Sequence, residues 1–335
     1  MKKLKQVLIS AGILLFLLLI YTFNWKEVIG NLQQIGYWII PILPIGLSWF
    51  FMHSLGWKFI LKALGEDVPV SILFKIKLIG ESINMLVPSA NIGGETARAV
   101  ALKPYIHISK GAPSVLIDKT IDFLTKVIYI SFGLLLAVIW LDIPKSMLFT
   151  CIVIIFTLLF LGGFVMFLQI KGFFNTILKV SRFIPLLHKY IIKNRDKLEK
   201  FDDSLKTVYT HGLTNIATAA FCHFSCKLLG VVEIMAILFV LKTNVTFIDS
   251  LFISSLSRMS QSIFFMLPGQ WGVAEGTQIF AATTLGFSAS IGLSLGIIRR
   301  FRRLLYSGVG LLMTFTLEKT KKNVPMAVQE NQHSF

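Results

Sequence analysis

Apolar runs long enough to matter to a bilayer recur from one end of the chain to the other. Stretches 6–23, 37–61, 112–140, 147–169, 211–241 and 289–317 each suffice, as helices, to cross a hydrocarbon core of about 30 Å. Two more apolar segments, 71–88 and 247–267, run into Pro88 and Pro268 and stop short. Proline withdraws a backbone donor and clashes with the preceding turn, so a helix breaks there. The pattern predicts an all-α polytopic membrane protein with about six transmembrane helices and two interrupted segments. The first run continues to Phe23 without a small-residue cleavage site and reads as a retained anchor.

The two interruptions share one grammar. "INMLVPSANIGGETAR" and "FFMLPGQWGVAEGTQ" both read Met-Leu, proline, a glycine-containing turn, then glutamate, with Glu95 seven residues after Pro88 and Glu275 seven after Pro268. Gly93 and Gly94 follow the first proline; Gly269 and Gly272 follow the second. Broken backbone exposes amides and carbonyls that cost several kcal/mol each in hydrocarbon. It is tolerated at membrane depth only where protein or a water-filled cavity surrounds it. Tracing the spans brings segment 71–88 in from one side and 247–267 from the other, which makes two re-entrant helical hairpins in an inverted repeat. Repeat one covers about 37–140 and repeat two about 211–317, within a single integral membrane domain over 1–320.

Composition agrees and fixes the orientation. Of 335 residues, 55% are hydrophobic and 15% charged, with a mean hydropathy of +0.73. The net charge of +16 lacks the soluble, aromatic-interleaved basic patch that nucleic acid binding needs, so the excess is topological and its counterions are lipid headgroups. Lys2, Lys3 and Lys5, the loop 171–206, and Lys319, Lys321 and Lys322 then share the cytoplasmic side. Both termini, including the tail 321–335, are expected there, in a multi-pass protein of the plasma membrane. The loop 171–206 mixes basic and apolar residues at helical spacing, as a helix lying on anionic lipid does, or a solvated linker pair. Cys222 and Cys226 flank His223 at i, i+4 spacing, which reads as small polarizable residues packed between helices. No metal site and no cofactor is expected.

The candidate chemistry lies in charges carried inside apolar helices. Segment 112–140 holds Asp118, Asp122 and Lys126 on one face, with Lys119 beside them; segment 289–317 holds Arg299, Arg300, Arg302 and Arg303. An arginine at a helix centre costs about 3 kcal/mol on insertion scales, so an unpaired set would cost on the order of 10 kcal/mol. These groups must meet partners or water. One expectation is that the acidic face of 112–140 pairs with the basic face of 289–317. The other is that surplus arginine, planar and multidentate, grips a phosphate headgroup in a wet cavity. Glu95 and Arg98, three apart, pair within a helix or serve its N-terminus, and Glu81 is expected to pair with Lys77. His223 is expected neutral beside Lys227, hydrogen-bonding a neighbour or relaying protons.

The chain carries no G-x-x-x-x-G-K-[ST], H-E-x-x-H or G-x-S-x-G signature. At "SANIGGETARAVALKPYIHISKGAPSVLIDKTIDFL" and "LPGQWGVAEGTQIFAATTLGFSASIGLSLGIIRRFRRLLY" it resembles the lysylphosphatidylglycerol synthetase transmembrane-region family, over roughly 10–320. That family includes the flippase half of the multiple peptide resistance factor. The matching positions are Pro88, Gly93, Gly94, Glu95, Arg98, Asp118, Asp122, Pro268, Gly272, Glu275 and Arg299. Where the family often has an arginine before the second glutamate, this chain has Ala274. The resemblance implies a lipid translocase whose partners are membrane phospholipids, anionic or aminoacylated, with a separate lipid-modifying enzyme as a further partner. The headgroup-binding residues expected on that reading are Arg299, Arg300, Arg302, Arg303, Glu95, Arg98 and Glu275. The alternative is a phosphatidylglycerol lysyltransferase, or a membrane subunit of one.

Overall fold

The computed structural model describes residues 25–86, 92–141, 145–172, 174, 192, 195–241, 243–265, 267, 270 and 272–321. Among these the chain is all helical, as hydropathy predicts. Helix α1 (Trp25–Ile35) passes through a short 3-10 turn (Gly36–Trp38) into α2 (Ile39–Ala63), and together they make one apolar run of 39 residues. Helices α5 (Ile108–Trp140), α6 (Lys145–Lys171) and α8 (Leu213–Val240) are likewise long and apolar enough to cross a membrane. Helix α11 (Ala289–Lys321) has 33 residues, about 50 Å at 1.5 Å per residue, but four arginines interrupt its apolar character. The predicted span 6–23 and the tail beyond Lys321 lie outside the described residues.

Between the long helices stand four short ones. Helices α3 (Val70–Leu86) and α4 (Ile92–Leu102) have 17 and 11 residues; α9 (Phe247–Ile263) and α10 (Val273–Thr284) have 17 and 12. At helical rise these reach about 17–26 Å, less than the hydrocarbon thickness, so each pair enters and returns. Pro88, Pro268 and Gly269, the expected breaks, lie outside the described residues. Gly93 and Gly94 fall in the first turn of α4 and not in the break itself. Gly94 has a packing role: a side chain there would run into the Gly80 carbonyl and Asn84, and its own amide donates to Asn84 Oδ1 at 2.7 Å. Gly272, at φ 75°, turns the chain into α10 in a left-handed conformation that glycine adopts without a Cβ penalty.

Helix ends are set by local chemistry. A capping box starts α9, with Asp249 N donating to Thr246 Oγ1 at 3.1 Å and Thr246 N donating to Asp249 Oδ2 at 2.8 Å. Helix α5 starts at Ile108, before the predicted 112, because the His107 ring accepts from Ser109 N at 3.2 Å. Pro113 then sits inside the helix and leaves the Ser109 carbonyl without its usual donor. Ser204 Oγ supplies one at 3.1 Å, docking the amphipathic helix α7 (Arg195–His211) onto α5. Tyr209 of α7 adds a bond to Gln169 Oε1 at 2.6 Å, and Leu205 and Val208 fill the core beneath. Most of the loop before α7 is outside the described residues.

Two four-helix units correspond element by element. Helices α2, α3, α4 and α5 have 25, 17, 11 and 33 residues; α8, α9, α10 and α11 have 28, 17, 12 and 33. Equivalent helices α2 and α8 lie against each other antiparallel: Gly56 faces Ala219 and His223, while Ala63, further along α2, faces Gly212, earlier on the other strand of chain. Opposite direction of equivalent helices is what an inverted repeat requires. The entering arms are exchanged. Helix α3 packs on α11 of the other half, and α9 packs on α5. Both contacts close on a glycine: Gly310 against Leu78 and Ser82, and Gly133 against Leu251 and Ser255. Ser82 Oγ also donates to the Ser307 carbonyl at 2.8 Å.

That seam gives a direct test. A methyl group at Gly310 meets the Leu78 carbonyl backbone, which cannot move aside as a side-chain tip does, whereas one at Gly163 on α6 meets nothing within 4 Å. Gly310→Ala is expected to destabilise the folded protein by about 1–3 kcal/mol, the usual cost of overpacking. Gly163→Ala is expected to be neutral or slightly stabilising. Thermal unfolding in detergent compares them, and equal melting temperatures would remove the close α3–α11 crossing.

Candidate functional site

The charges inside the membrane region gather into two networks, one in each half, and each is anchored by the glutamate of the returning arm. In the first half Glu95 Oε2 accepts from Arg98 Nη1 at 2.6 Å and Oε1 from Lys119 Nζ at 2.9 Å. In the second, Glu275 accepts from Arg300 Nε and, at 2.8 Å, from Arg300 Nη2. Lys119 and Arg300 are equivalent: each stands eleven residues after the first residue of its long helix. The sequence separations within the pairs are 24 and 25. Glu275 also accepts from Gly272 N at 3.0 Å, so the same carboxylate neutralises an arginine and satisfies the start of α10.

Around Glu95 the network widens. Asp118, 1% exposed, accepts from Lys77 of α3 at 2.9 Å, Arg98 of α4 at 2.7 Å and His223 of α8 at 3.0 Å. Asp122, one turn on, accepts from Lys227 of α8 at 2.9 Å and faces His53 Nε2 of α2 at 3.6 Å. Lys227 completes its three bonds with Thr125 Oγ1 and the His223 carbonyl. Arg98 lies over the Trp57 ring at 4.2 Å, a position that favours a guanidinium, and Trp57 itself donates to Ser114. Asp118 and Asp122 therefore find their cations on α3, α4 and α8. The expected pairing with the arginines of α11 does not form, because the first hairpin bridges α5 and α11 and supplies its own cations. Lys77 likewise passes over Glu81 in its own helix for the deeper Asp118. Lys126 lies one turn beyond Asp122 and makes no ion pair among the described residues.

The arginines of α11 divide. Arg300 is bound to Glu275, and Arg302 Nη1 to Glu233 of α8 at 2.7 Å. Arg299 and Arg303 make no ion pair among the described residues and line a cavity of about 150 Å³ with Arg258, Arg302, Glu81 and Glu233. Four guanidinium groups thus face two carboxylates. The Nε atoms of Arg258, Arg299 and Arg302 are buried without a protein partner, as is Glu233 Oε1. The space exceeds many times the roughly 15 Å³ that one water needs, so these groups have room for water or a ligand. A smaller cavity of about 60 Å³ adjoins it, sharing Trp49, Phe50 and Glu81 in its wall. Glu95, Arg98, Asp118 and Lys119 line this second space. Of the predicted headgroup residues, Arg299, Arg302 and Arg303 meet in the larger cavity. Glu95 and Arg98 lie in the smaller one, and Arg300 and Glu275 stand behind the larger wall as a closed pair.

Sequence reasoning missed His53. The available signal for His53 was a lone imidazole within "FFMHSLGW", four residues from Trp57. One ligand-type atom from each of His53, Asp122 and His223 lies within 4.8 Å of the others. Lysine ammonium groups already engage His53 and Asp122, so the cations of this cluster are Lys77 and Lys227.

Comparison with known proteins places this architecture. Residues 4–310 match the model of the lysylphosphatidylglycerol synthase TM region. A UPF0104 membrane protein of Methanothermobacter thermautotrophicus is 24% identical over 268 residues, covering 74% of this chain and 76% of its own. Another, from Methanocaldococcus jannaschii, is 24% identical over 262 residues and covers 74% of each chain. No solved structure matches. With a family match across nearly its whole length and an all-helical membrane fold, the chain belongs to the lysylphosphatidylglycerol synthase TM region family.

Proposed function

We propose that this protein translocates a phospholipid across the bilayer, holding the anionic part of its headgroup in the larger cavity. The observation that carries the reading is the imbalance there: four arginines against two carboxylates, with Arg258, Arg299 and Arg303 making no ion pair among the described residues, in a space between membrane helices. A phosphodiester is the anion that a bilayer supplies, and guanidinium groups match its oxygens in pairs. Arg299, Arg303 and Arg258 bind it, with Arg302 oriented toward it by Glu233. Arg300 and Glu275 act by position: their bond fixes the returning arm of the second hairpin against α11. Tails stay in lipid while the two halves alternate in exposing the cavity, as inverted repeats permit. Candidate cargoes are anionic or aminoacylated phospholipids, the latter supplied by a separate lipid-modifying enzyme. The orientation that goes with this reading has both termini on the cytoplasmic side of the plasma membrane.

Two experiments separate the roles. In proteoliposomes, with a short-chain fluorescent phosphatidylglycerol as reporter and leaflet-selective quenching as readout, Arg299→Ala with Arg303→Ala is expected to slow translocation at least tenfold, as loss of about 1.4 kcal/mol per factor of ten implies. An unchanged rate would overturn the binding assignment. Glu275→Gln is expected to act on stability instead, because it strands a buried guanidinium: a loss of about 3–5 kcal/mol on thermal unfolding in detergent. Replacing both partners, Glu275→Met with Arg300→Met, is expected to recover most of that loss. If the double variant transports nothing although it folds, Arg300 touches the cargo and the scaffold role is wrong.

A further inference from the structure

The best-connected charged cluster in the molecule is not the one assigned to the headgroup. His53 of α2 and His223 of α8 stand with ring centroids 4.6 Å apart, on the antiparallel helices that join the two halves. Their hydrogen bonds fix their protonation. Lys77 Nζ already donates to Asp118, so it is an ammonium, and its contact with His53 Nδ1 at 3.1 Å requires a lone pair on that nitrogen. The ring proton of His53 is therefore on Nε2, directed at Asp122. His223 Nε2 faces a carboxylate oxygen of Asp118 and must donate to it, so in the neutral ring the lone pair is on Nδ1. That atom is buried and has no partner. Both rings are neutral, and each keeps one nitrogen able to take a proton.

Every element packed on this pair contributes a charge. Lys77 comes from α3, Asp118 and Asp122 from α5, and Lys227 from α8 itself. Arg98 of α4 reaches Asp118; Arg258 of α9 binds the Lys227 carbonyl, and Arg302 of α11 binds Glu233 on the same face of α8. His53, Lys77, Asp118 and Asp122 line the smaller cavity, whose Glu81 wall is shared with the arginine cavity. Lys77, Arg98, Lys119 and Lys227 face Glu95, Asp118 and Asp122 there, Lys126 lies one turn beyond Asp122, and Glu81 stands in the wall shared by the two cavities. A proton on either ring is thus a positive charge added where cations already match or outnumber the carboxylates. It becomes less costly when an anion enters next door: at about 10 Å and an effective dielectric near 20, a unit charge shifts such an equilibrium by about tenfold.

We infer that His53 and His223 form a proton-binding site that couples proton movement to anion occupancy of the neighbouring arginine cavity, so that the protein carries a proton with each anionic headgroup. The proton adds to His53 Nδ1, displacing the hydrogen bond from Lys77; Lys77 keeps its own protons and its bond to Asp118. The imidazolium then attracts Asp122, and Lys77, which sits on the entering arm of the first hairpin, is released from α2. On the opposite side of the membrane the same Nδ1 gives the proton back to water. No bond other than the N–H is made or broken, and no electron is transferred.

The transport half of this inference rests on the translocation reading; the proton-binding half does not. Infrared difference spectra of the purified full chain in nanodiscs containing anionic lipid, taken from about pH 8 down to about pH 4, test the site alone. Imidazole bands accompanied by carboxylate bands are expected, and His53→Gln and His223→Gln should each remove part of them. Identical spectra in the wild type and both variants overturn the proton site. In proteoliposomes with the membrane potential clamped, an imposed pH gradient should change the rate of reporter phosphatidylglycerol movement several-fold, and a trapped pH dye should register lipid-dependent proton flux. Lipid movement indifferent to the gradient, with no proton flux, overturns the coupling even if the spectra respond. If the wild type moves no lipid at all while its histidines titrate as expected, the translocation reading fails and the proton site stands.

Discussion

An ionised side chain in hydrocarbon has to meet a counter-ion or water, and the whole arrangement follows from how this chain meets that demand. Each half places a glutamate at the start of a returning helical arm and a cation one-third of the way along the long helix after it. The two groups close on each other, Glu95 with Lys119 and Glu275 with Arg300. The bond fixes the depth of the arm and the rotation of the long helix together. With α4 and α10 only 11 and 12 residues long, neither arm could be located by spanning the bilayer, so the ion pair supplies the register that length cannot.

The halves share this bracket and differ in what surrounds it. Three residues after the glutamate, the first half has Arg98 and the second Gln278. Arg98 ties Glu95 to Asp118, and through it Lys77 and His223 join one closed network. Gln278 instead bonds Ser257 of α9 and carries no charge. The second half is left with more guanidinium than carboxylate, and the surplus of Arg299, Arg303 and Arg258 turns toward the cavity. A symmetric protein would have had two saturated sites or two hungry ones. The repeat has diverged into one half whose charges are tied into an ion-pair network and one that leaves arginines facing open space.

What the sequence made legible was what local physics decides. Apolar run length gave the long helices, and the spacing of Glu95 and Glu275 gave the equivalence of the halves. The partners of the charges were not legible in the same way. Asp118 and Asp122 share a face by helical periodicity, yet which helix meets that face depends on tertiary order. The exchange of entering arms, α3 onto α11 and α9 onto α5, puts hairpin cations where the last helix was expected. Lys77 and Glu81 show the same limit: an i, i+4 pair is worth a few tenths of a kcal/mol, and a buried carboxylate with two other donors is the stronger attraction. His53 went unnoticed because a single histidine in a span has no spacing to read.

The exchange of arms also limits where the molecule can move. Each entering arm is bound tightly to the long helix of the opposite half through a glycine seam that has no side chain to deform, at Gly310 and at Gly133. Each returning arm is bound to the long helix of its own half by the glutamate bracket. A hairpin therefore joins both long helices and cannot slide past either without breaking a close-packed seam or an ion pair, which is buried in the second half and partly exposed in the first. The antiparallel contact between α2 and α8 is also closed on a glycine, with Gly56 against Ala219 and His223, and it is where the two histidine rings face each other with Lys77 on one side and Lys227 on the other. A proton taken up there changes the charge directly between the halves, because Lys77 of the first hairpin meets one ring and Asp118 of α5 the other.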